Sequence, residues 1–280
     1  MSHYIYNEKI VASNERILTP ESRGLRYGEG VFETIKVKNN KVYFLADHFQ
    51  RLEQGLLALH LQLPEFFDRQ KLEELILKLA VKNGHTTARI RLMCWRKDGG
   101  LYDVVSDVCD YSIQYYALPV EYEVNSNGLD LCIFDAVKKS IDLLSNVKHN
   151  NFLIYSLAAR YAQEKKCNDA LVLNQQNNIC DSSIANIFWI KNGNIFTNPL
   201  TDGPIAGVMR KQLLQQLPSL GFPITEKSCS ATELMEADEV FLSNVIRGCR
   251  WVKQLGDKEF SCEKFMEFYP KFIDCISKIC

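Results

Sequence analysis

Residues 144–166, LSNVKHNNFLIYSLAARYAQEKK, place a single lysine ahead of a long apolar run with helical spacing. Lys165 and Lys166 close the predicted helix, where cations suit the negative end of the helix dipole. Lys148 instead precedes two asparagines, which we expect to cap the start of that helix. The segment therefore predicts an amine held at a helix entrance, close to the start of the second half of the fold.

Length and charge exclude several classes of protein. The 280 residues suffice for one large or two modest domains with their own cores. At a net charge of −1, the chain lacks the excess of basic residues that is typical of a nucleic-acid-binding protein. No apolar stretch approaches the roughly 20 residues of a membrane span, and MSHYIYNEKI lacks the features of a signal peptide. We expect a cytoplasmic globular protein that binds neither nucleic acid nor membrane.

The ten cysteines are scattered, and no two form a Cys-x-x-Cys pair. Several lie in apolar runs typical of strands, such as RLMCW and LDLCIF. This pattern favours reduced thiols over a disulfide framework or a zinc site, and we expect no metal.

The first half of the chain alternates strands with helices. VFETIKV and KVYFLA flank Asn39-Asn40, which predicts a hairpin. Asp47 is the predicted N-cap of one helix, and Asp68 is that of a second helix, which ends at Gly84. The run TARIRLMCW alternates like a strand with one apolar face, made of Ala88, Ile90, Leu92 and Cys94.

The pattern changes near Pro119, which we interpret as a crossing between domains at 1–118 and 119–280. LDLCIF, DALVLN, IANIFWI and EVFLSNV are predicted strands, and the NG pair before NIFTN predicts a hairpin. GVMRKQLLQQL begins a helix directly after a glycine, and a last helix closes the chain. We predict an α+β fold of two domains, with Lys148 in the second.

Lys148 permits two interpretations when it is taken alone. The ordinary one is a solvated lysine in a loop. The functional one is a Schiff-base lysine in a cleft, with an amine kept partly neutral by desolvation. A Schiff-base lysine needs an aldehyde, an anion cradle and an acid for the ring, and the sequence offers candidates for the last two.

The candidate anion cradle is PIAGVMRKQLL, in which Gly207 permits close backbone approach. The N–H groups of Val208 and Met209 would point out of the helix start, where donors and dipole bind phosphate. A plain N-terminal glycine is the alternative. DHFQRL adds His48 and Arg51 on one helical face, and Arg51 would either contact phosphate or lie on a solvated face.

Two further residues are candidates for the chemistry. The Asp-Ser-Ser cluster of CDSSIANIFW is usually turn chemistry, but Asp181 could also hold a protonated pyridine nitrogen and keep the ring an electron sink. Arg96, at the end of a strand that enters a glycine loop, is the candidate for a substrate carboxylate. Its alternative is an arginine on the rim.

In order and spacing, these stretches resemble the class IV pyridoxal-phosphate enzymes. That family includes branched-chain aminotransferase, D-amino acid aminotransferase and 4-amino-4-deoxychorismate lyase. The resemblance implies a class IV fold of two domains with pyridoxal 5′-phosphate between them, a homodimer and a small amino acid-type substrate. Seven stretches that span nearly the whole chain carry it: RGLRYGEGVFETIKV, HFQRL, RKDGGLY, VKHNN, DSSIANIFW, GVMR and ADEVFLSN.

The resemblance also implies the roles of individual residues. Lys148 would form the Schiff base with the cofactor, and residue 181 would meet the pyridine nitrogen. Arg51 and the amides of Val208 and Met209 would hold the phosphate. The family normally has glutamate where this chain has Asp181, which is shorter by a methylene. Either the backbone closes in at this position or a water bridges the gap.

Details favour the lyase within the family. GVMR with Met209, KHNN, ANIFW and the RKDGGLY loop resemble lyase motifs, and FLSN lacks the Gly-Thr pair of branched-chain enzymes. Phe32 stands where D-amino acid aminotransferases have a tyrosine that helps to trap the substrate carboxylate, which weakens that alternative. Aminodeoxychorismate lyase is the leading hypothesis, and an amino acid transaminase with 2-oxoglutarate as acceptor is the second. A non-catalytic homologue, suggested by Asp181, is the third.

Overall fold

The structure, a computed structural model, describes residues 2–119 and 126–279. Residues 120–125, with part of the predicted crossing after Pro119, lie outside the described residues. The described residues form both helices and strands, and the fold is α+β, as predicted.

The chain divides into two compact units. Unit 1 comprises residues 2–119 and Val147–Asn151, and unit 2 comprises residues 126–146 and Phe152–Ile279. Lys148 therefore packs in unit 1, whereas the predicted boundary assigns it to the second domain. The boundary at 118 itself stays a prediction.

Unit 1 contains one antiparallel sheet of six strands in the order β2-β1-β6-β5-β3-β4. Two long helices, α2 and α3, supply apolar side chains to its core. The elements of unit 1 are β1 (His3–Tyr6), β2 (Lys9–Ala12), α1 (Arg23–Tyr27), β3 (Gly30–Lys38), β4 (Lys41–Val42), α2 (Leu45–Ala58), α3 (Arg69–Asn83), β5 (Ala88–Arg96) and β6 (Cys109–Ala117).

Alternation along β5 decides which side chains face the core of unit 1. The predicted apolar set is fully buried and packs with Leu52 of α2 and Leu72 of α3. Burial of each such leucine or isoleucine contributes about 1.5–3 kcal/mol. The alternate positions, Arg89 and Arg91, lie on the other face, which is only partly covered. We call this second face the open face of the sheet.

Local signals account for the hairpin and for α3. Asn39 and Asn40 have φ of 51° and 60°, the left-handed values that a tight hairpin turn requires. The Asp68 side chain accepts a hydrogen bond from the N–H of Lys71 at 2.7 Å, and Gly84 ends the helix at φ 73°. These three predictions are confirmed.

The predicted N-cap of α2 is wrong. The helix begins at Leu45, two residues before Asp47, and its N-cap position is Phe44 at φ 52° without a side-chain cap bond. The left-handed turn at Phe44 lets the helix start early, so Asp47 lies within the first turn. There its charge suits the positive end of the helix dipole instead.

Unit 2 contains two five-stranded sheets in the orders β12-β11-β10-β13-β14 and β16-β15-β7-β8-β9. The predicted strands are confirmed, and Asn192 and Gly193 turn at φ of 51° and 75°. The elements are β7 (Asp130–Lys139), α4 (Leu153–Glu164), β8 (Asp169–Asn174), β9 (Ile179–Ser182), β10 (Asn186–Lys191), β11 (Asn194–Thr197), α5 (Val208–Gln216), β12 (Ile224–Glu226), α6 (Ala231–Leu234), β13 (Glu239–Asn244), β14 (Gly248–Val252), β15 (Gln254–Leu255), β16 (Lys258–Glu259) and α7 (Glu263–Ser277).

Helix α4 lies on the crossover between the parallel strands β7 and β8, and it packs on them. Its buried face carries Ala158, Ala162 and Tyr155, and the tyrosine comes from its first turn. Strand β7 contains an irregularity between Phe134 and Lys139, after which Lys139 pairs with β8 again. The irregularity and the helix together bring Lys139 and Tyr155 into the interior of unit 2.

Candidate active site

Lys148 is held by strand β3 in unit 1. The N–H of Phe32 donates to the carbonyl oxygen of Lys148 at 2.9 Å, and the N–H of Asn150 donates to the carbonyl oxygen of Gly30 at 2.8 Å. These two bonds fix the backbone on both sides of the lysine side chain. They explain why this short segment packs in unit 1.

The asparagines after Lys148 do not cap the helix, so that prediction is wrong. Helix α4 begins at Leu153, and its N-cap position makes no side-chain cap bond. Asn150 packs instead against the start of β3, where a Cβ atom on Gly30 would lie 2.4 Å from Asn150 Nδ2 and 2.3 Å from the carbonyl oxygen of Cys94. Glycine is therefore required for this segment to approach β3.

Two cations flank the buried ring of Phe32. Lys148 Nζ lies 4.4 Å from the ring centroid, and Arg91 Cζ lies 4.5 Å from it. The register of β3 and β5 explains the second contact, because it pairs Arg91 with Thr34, two residues from Phe32 on the open face. An amine and a guanidinium thus share one aromatic ring.

Arg91 is a candidate site residue that the sequence reasoning missed. Burial lowers its pKa, and the charge of Arg89 on the same strand face lowers it further. Arginine nevertheless remains charged in proteins, so the open face keeps two guanidinium groups. The signal was available: the alternation that buries Ile90 and Leu92 places Arg89 and Arg91 together on the opposite face.

Glu33 organises a second polar group in unit 1. Arg51 Nε lies 2.7 Å from Glu33 Oε1, and Arg51 Nη2 lies 2.6 Å from Oε2, which makes a bidentate pair. His48 Nδ1 lies 2.6 Å from the same Oε2. Burial alone would raise the pKa of Glu33, but Arg51 and His48 outweigh it and lower the pKa to about 2. Arg51 is thus aimed by a carboxylate that stays ionised.

The sequence reasoning also missed Glu33, although its position carried a signal. Val31, Ile35 and Val37 lie on the same face of β3 as Glu33, and all three are buried. A glutamate among core positions of a strand requires a charged partner. Helix α2 supplies that partner with Arg51. As predicted, His48 lies on the same helical face as Arg51, one turn earlier.

Arg96 directs its guanidinium into unit 1. It lies 2.9 Å from Asp107 Oδ1 and 3.4 Å from Glu29 Oε2, and it donates to the carbonyl oxygens of Leu59 and Ser106 at 2.8 and 3.1 Å. The residue is only 5% exposed. These contacts account for its burial, and its binding of a substrate stays a prediction.

Asp181 itself lies in strand β9 of unit 2, and the turn chemistry expected of its cluster falls on Ser182, whose hydroxyl accepts from the N–H of Ala185 at 3.0 Å. Asp181 Oδ2 accepts from Tyr155 Oη at 2.7 Å, from the N–H of Ile205 at 2.9 Å and from Lys139 Nζ at 3.2 Å. Its Oδ1 accepts from Asn186 Nδ2 at 2.8 Å. Four donors therefore hold a carboxylate that is 2% exposed.

Lys139 and Tyr155 form one cluster with this acid. Lys139 Nζ donates to Tyr155 Oη at 2.5 Å. Burial raises the pKa of Tyr155 well above its ordinary value, and the charge of Asp181 raises it further. The phenol therefore stays protonated, and its O–H donates a hydrogen bond to the carboxylate. No pattern in the sequence pointed to Lys139, which ends a strand beside another lysine.

The predicted anion cradle is the start of α5 in unit 2. Gly207 is the N-cap position, makes no side-chain cap bond, and is followed by Val208 and Met209 in the first turn. A Cβ atom on Gly207 would lie 1.8 Å from Asn186 Oδ1, so only glycine fits there. The backbone N–H groups of this turn are thus free of a side-chain cap, as phosphate binding requires.

The predicted residues therefore form two sets. Unit 1 holds the first set: Phe32, Arg51, Arg96 and Lys148. Unit 2 holds the second set: Asp181, Gly207, Val208 and Met209. In each unit, a buried carboxylate with a cation partner adjoins the predicted positions.

The structure bears on two expectations about the class of protein, those on membrane spans and on the cysteines. Within 2–119 and 126–279, no helix combines the length and the apolar character needed to cross a membrane. The nine cysteines in this part of the chain are free thiols.

Comparison with known families identifies the chain's relatives. Residues 30–255 match the family described as amino-transferase class IV. The chain belongs to this family. Its members are enzymes that use pyridoxal phosphate, so the predicted family and cofactor are confirmed.

Individual relatives carry different activities in their names. The chain is 29% identical over 240 residues to an aminodeoxychorismate lyase of Vibrio harveyi, a match that covers 85% of this chain and 87% of the relative. It is 25% identical over 245 residues to a D-alanine aminotransferase of Listeria innocua, a match that covers 86% of this chain and 83% of the relative. The structure of a branched-chain aminotransferase of Thermoproteus uzoniensis, solved with norvaline, matches with a TM-score of 0.87 at 23% identity. The match covers 99% of this chain and 94% of that protein. The predicted class IV fold is confirmed.

Proposed function

We propose that this class IV enzyme is a 4-amino-4-deoxychorismate lyase, which releases 4-aminobenzoate and pyruvate. The observation that carries the proposal is the sharing of one Phe32 ring by the Lys148 amine and the Arg91 guanidinium, with Arg89 on the same strand face. This arrangement suits a substrate with an amine and two carboxylates. The lyase relative, at 29% identity, adds support.

The residues present fit pyridoxal phosphate. The uncapped N–H groups of Val208 and Met209 suit its phosphate, and Arg51 is a guanidinium held in place for the same anion. Asp181 is assigned to the pyridine nitrogen, and Lys148 to the aldehyde. When bound, the cofactor supplies a ring that takes up negative charge from the substrate's reacting carbon.

Lys148 has two tasks in this proposal. Its amine would hold the cofactor through the aldehyde, and the same Nζ would serve as the base for the proton on the carbon that bears the substrate amine. The backbone bonds to β3 hold the lysine backbone in both tasks, so only the side chain needs to move. Loss of pyruvate from the neighbouring carbon follows, and the ring that remains aromatises.

Arg91 is the favoured partner for a substrate carboxylate. Its guanidinium contacts the same Phe32 ring as the Lys148 amine, whereas the donors of Arg96 are directed to Asp107, Glu29 and backbone carbonyls. A guanidinium binds a carboxylate through two parallel N–H bonds. Arg89 is positioned for the second carboxylate of the same substrate.

A transaminase is the second candidate, favoured by the match to a D-alanine aminotransferase over 86% of the chain. The same two guanidinium groups would bind the two carboxylates of 2-oxoglutarate. In this case, the proton that Lys148 Nζ removes from the substrate would be returned to a different carbon atom, and the substrate would leave as a keto acid.

The deciding experiment offers the purified enzyme aminodeoxychorismate and, separately, D-alanine or leucine with 2-oxoglutarate. The proposal expects 4-aminobenzoate and pyruvate in equal amounts from the first substrate and little turnover of the others. Keto acid formation at a higher rate than lyase turnover would assign the chain to the transaminases instead.

Replacement of Arg91 tests the substrate site. Arg91→Gln removes one charge-assisted carboxylate contact worth about 1.5–3 kcal/mol, so kcat/KM should fall roughly 10- to 100-fold. Arg89→Gln is the companion variant on the same strand, and we expect a comparable fall only for substrates with two carboxylates. An unchanged kcat/KM in Arg91→Gln would return this arginine to a purely structural role.

We also propose a homodimer in the cytoplasm, as the family resemblance implies. Analytical ultracentrifugation of the purified chain should give twice the mass of 32.2 kDa. A single species at the monomer mass would contradict the proposed assembly.

A further inference from the structure

The positions directly opposite the two arginines of the open face carry no carboxylate. The four partners in register are Thr34 and Gln114 opposite Arg91, and Lys36 and Tyr116 opposite Arg89. Residues that lie opposite each other on one face of a sheet are close enough to form ion pairs. A glutamate at position 114 would therefore compensate the charge of Arg91, and the chain has a neutral glutamine there instead.

The two guanidinium groups have aromatic rather than acidic neighbours. Arg91 Cζ lies 4.5 Å from the ring centroid of Phe32, and Arg89 Cζ lies 6.0 Å from that of Tyr116. The Nε atoms of both arginines are buried, and neither has a hydrogen-bond partner among the described residues. An aromatic face compensates only part of the cost of burying a cation. The open face therefore carries positive charge that an anionic ligand would compensate.

Gln114 is held in one orientation by its neighbour on the same strand. Tyr116 Oη donates to Gln114 Oε1 at 3.2 Å. This bond uses the acceptor end of the amide and leaves the two hydrogens of Nε2 as donors for another group. Gln114 thus provides a hydrogen-bond donor on the face of Arg91 without a charge that competes for the guanidinium.

Gln114 also lines a cavity on the open face of unit 1. The cavity has a volume of about 580 Å³, within the size range of small-molecule sites. Met93 lines it too, and Asn150 brings the lining to within two residues of Lys148. Glu15 is a further lining residue, but it is exposed, and solvent screens its charge. A ligand that extends from the Lys148 segment over Met93 therefore reaches Gln114.

We infer that Gln114 is a specificity-determining residue of the open face, because its neutral amide leaves the Arg91 guanidinium for a substrate carboxylate and adds a donor for the same anion. Both arginines then keep their charge for the ligand, so a substrate with two carboxylates gains more than a substrate with one. The inference rests on the proposed assignment of Arg91 to a carboxylate. It holds for either candidate reaction, since 2-oxoglutarate also carries two carboxylates.

The test measures binding without turnover, by isothermal titration calorimetry of the holoenzyme. The probes are isophthalate, a planar ring with two carboxylates and no amine, and benzoate, the same ring with one carboxylate. We expect the wild-type enzyme to bind isophthalate more tightly than benzoate. Gln114→Glu places a carboxylate opposite Arg91 and should raise the Kd for isophthalate roughly 10- to 100-fold, with a smaller effect on benzoate.

Two further variants separate charge from other effects. Gln114→Leu removes the donor without adding a charge, so it should weaken isophthalate binding less than Gln114→Glu does. Gln176→Glu makes the same chemical change in an exposed turn of unit 2 and should leave both affinities unchanged.

Turnover provides a second readout for Gln114→Glu. The residue lies on β6, two strands away from β3, which holds the Lys148 backbone. The KM for a substrate with two carboxylates should therefore rise, whereas kcat and the absorbance of the bound cofactor should change little. A purely structural role would instead lower kcat and cofactor occupancy together, for substrates of either kind.

Three results would overturn the inference. A wild-type enzyme that binds isophthalate no more tightly than benzoate would do so even if Gln114→Glu fails to fold. The others are an unchanged affinity of Gln114→Glu for isophthalate and an equal loss of affinity in Gln176→Glu. Failure of the proposed function has a different signature: keto acid in place of 4-aminobenzoate would refute the lyase and leave these binding results as they are.

Discussion

Each unit of the molecule contains a buried carboxylate paired with a cation beside the predicted site residues, and the two pairs differ in their exposure and in their donors. In unit 1, Glu33 holds Arg51, whose side chain is 12% exposed. In unit 2, the side chains of Asp181 and Lys139 are 3% and 7% exposed, and four donors converge on the carboxylate. One pair aims a cation, and the other restrains an anion.

The third member of each group shows the same difference. His48 shares Oε2 of Glu33 with Arg51, and burial lowers the pKa of its imidazole despite the opposing charge of Glu33. Tyr155 instead lies between both members of its pair and bonds to each of them. Unit 1 therefore leaves the side chain of its cation partly exposed, whereas unit 2 encloses both members of its pair.

The largest expected effect is on the more enclosed pair. Asp181→Asn leaves Lys139 buried without its counter-charge, which costs about 3–5 kcal/mol of folding stability. Urea unfolding of the purified variant measures this loss. The double variant Asp181→Asn with Lys139→Met removes both charges and should recover much of the stability, because no buried charge is then left alone. A loss below about 1 kcal/mol in Asp181→Asn would contradict the pairing.

Acid should weaken the Glu33 pair within a defined range of pH. The folded-state pKa of Glu33, about 2, lies below its ordinary 4.5. Its ionised form therefore stabilises the fold above pH 4.5, and this contribution is lost as the pH falls toward 2. The loss is on the order of 3 kcal/mol in the free energy of unfolding. Wild type and Glu33→Gln should converge in stability over this range, and parallel curves would argue against an ionised Glu33.

Replacement of Arg51 should give the smallest of the three effects. Arg51→Ala removes a charge-assisted phosphate contact worth about 1.5–3 kcal/mol, so the Kd for pyridoxal phosphate should rise roughly 10- to 100-fold. Arg51→Lys is the matched control, since it keeps the charge but loses the two-pronged contact with Glu33. Equilibrium dialysis measures both. Unchanged affinity in Arg51→Ala would limit the Glu33 pair to a structural role.

Much of the fold could be predicted from the sequence because its signals are local. Asn39-Asn40, Asp68 and Gly84 each impose one backbone conformation or cap, and the structure places them as predicted. The cap of α2 could not be predicted, since a left-handed Phe44 precedes it. Phenylalanine rarely adopts that conformation, and nothing in the neighbouring residues announces it.

The candidate site divides in the same way. Lys148, Asp181 and Gly207 lie in short motifs, and the motifs led to them. The partners of these residues could be inferred only where alternation exposes them, as at Glu33 and Arg91. Lys139 could not be foreseen, because its burial depends on an irregularity in β7 and on a tyrosine from a helix that begins 14 positions later.

The most direct test of the central assignment is to reduce the holoenzyme with borohydride and map the pyridoxyl label by peptide mass spectrometry. The assignment predicts a single labelled site at Lys148, with the buried Lys139 unlabelled as an internal control. Lys148→Arg should fold normally, because arginine keeps a cation at the Phe32 ring, and it should carry no label, because a guanidinium forms no reducible Schiff base with the aldehyde. A label on any other lysine, or no label on the wild-type chain, would contradict the assignment.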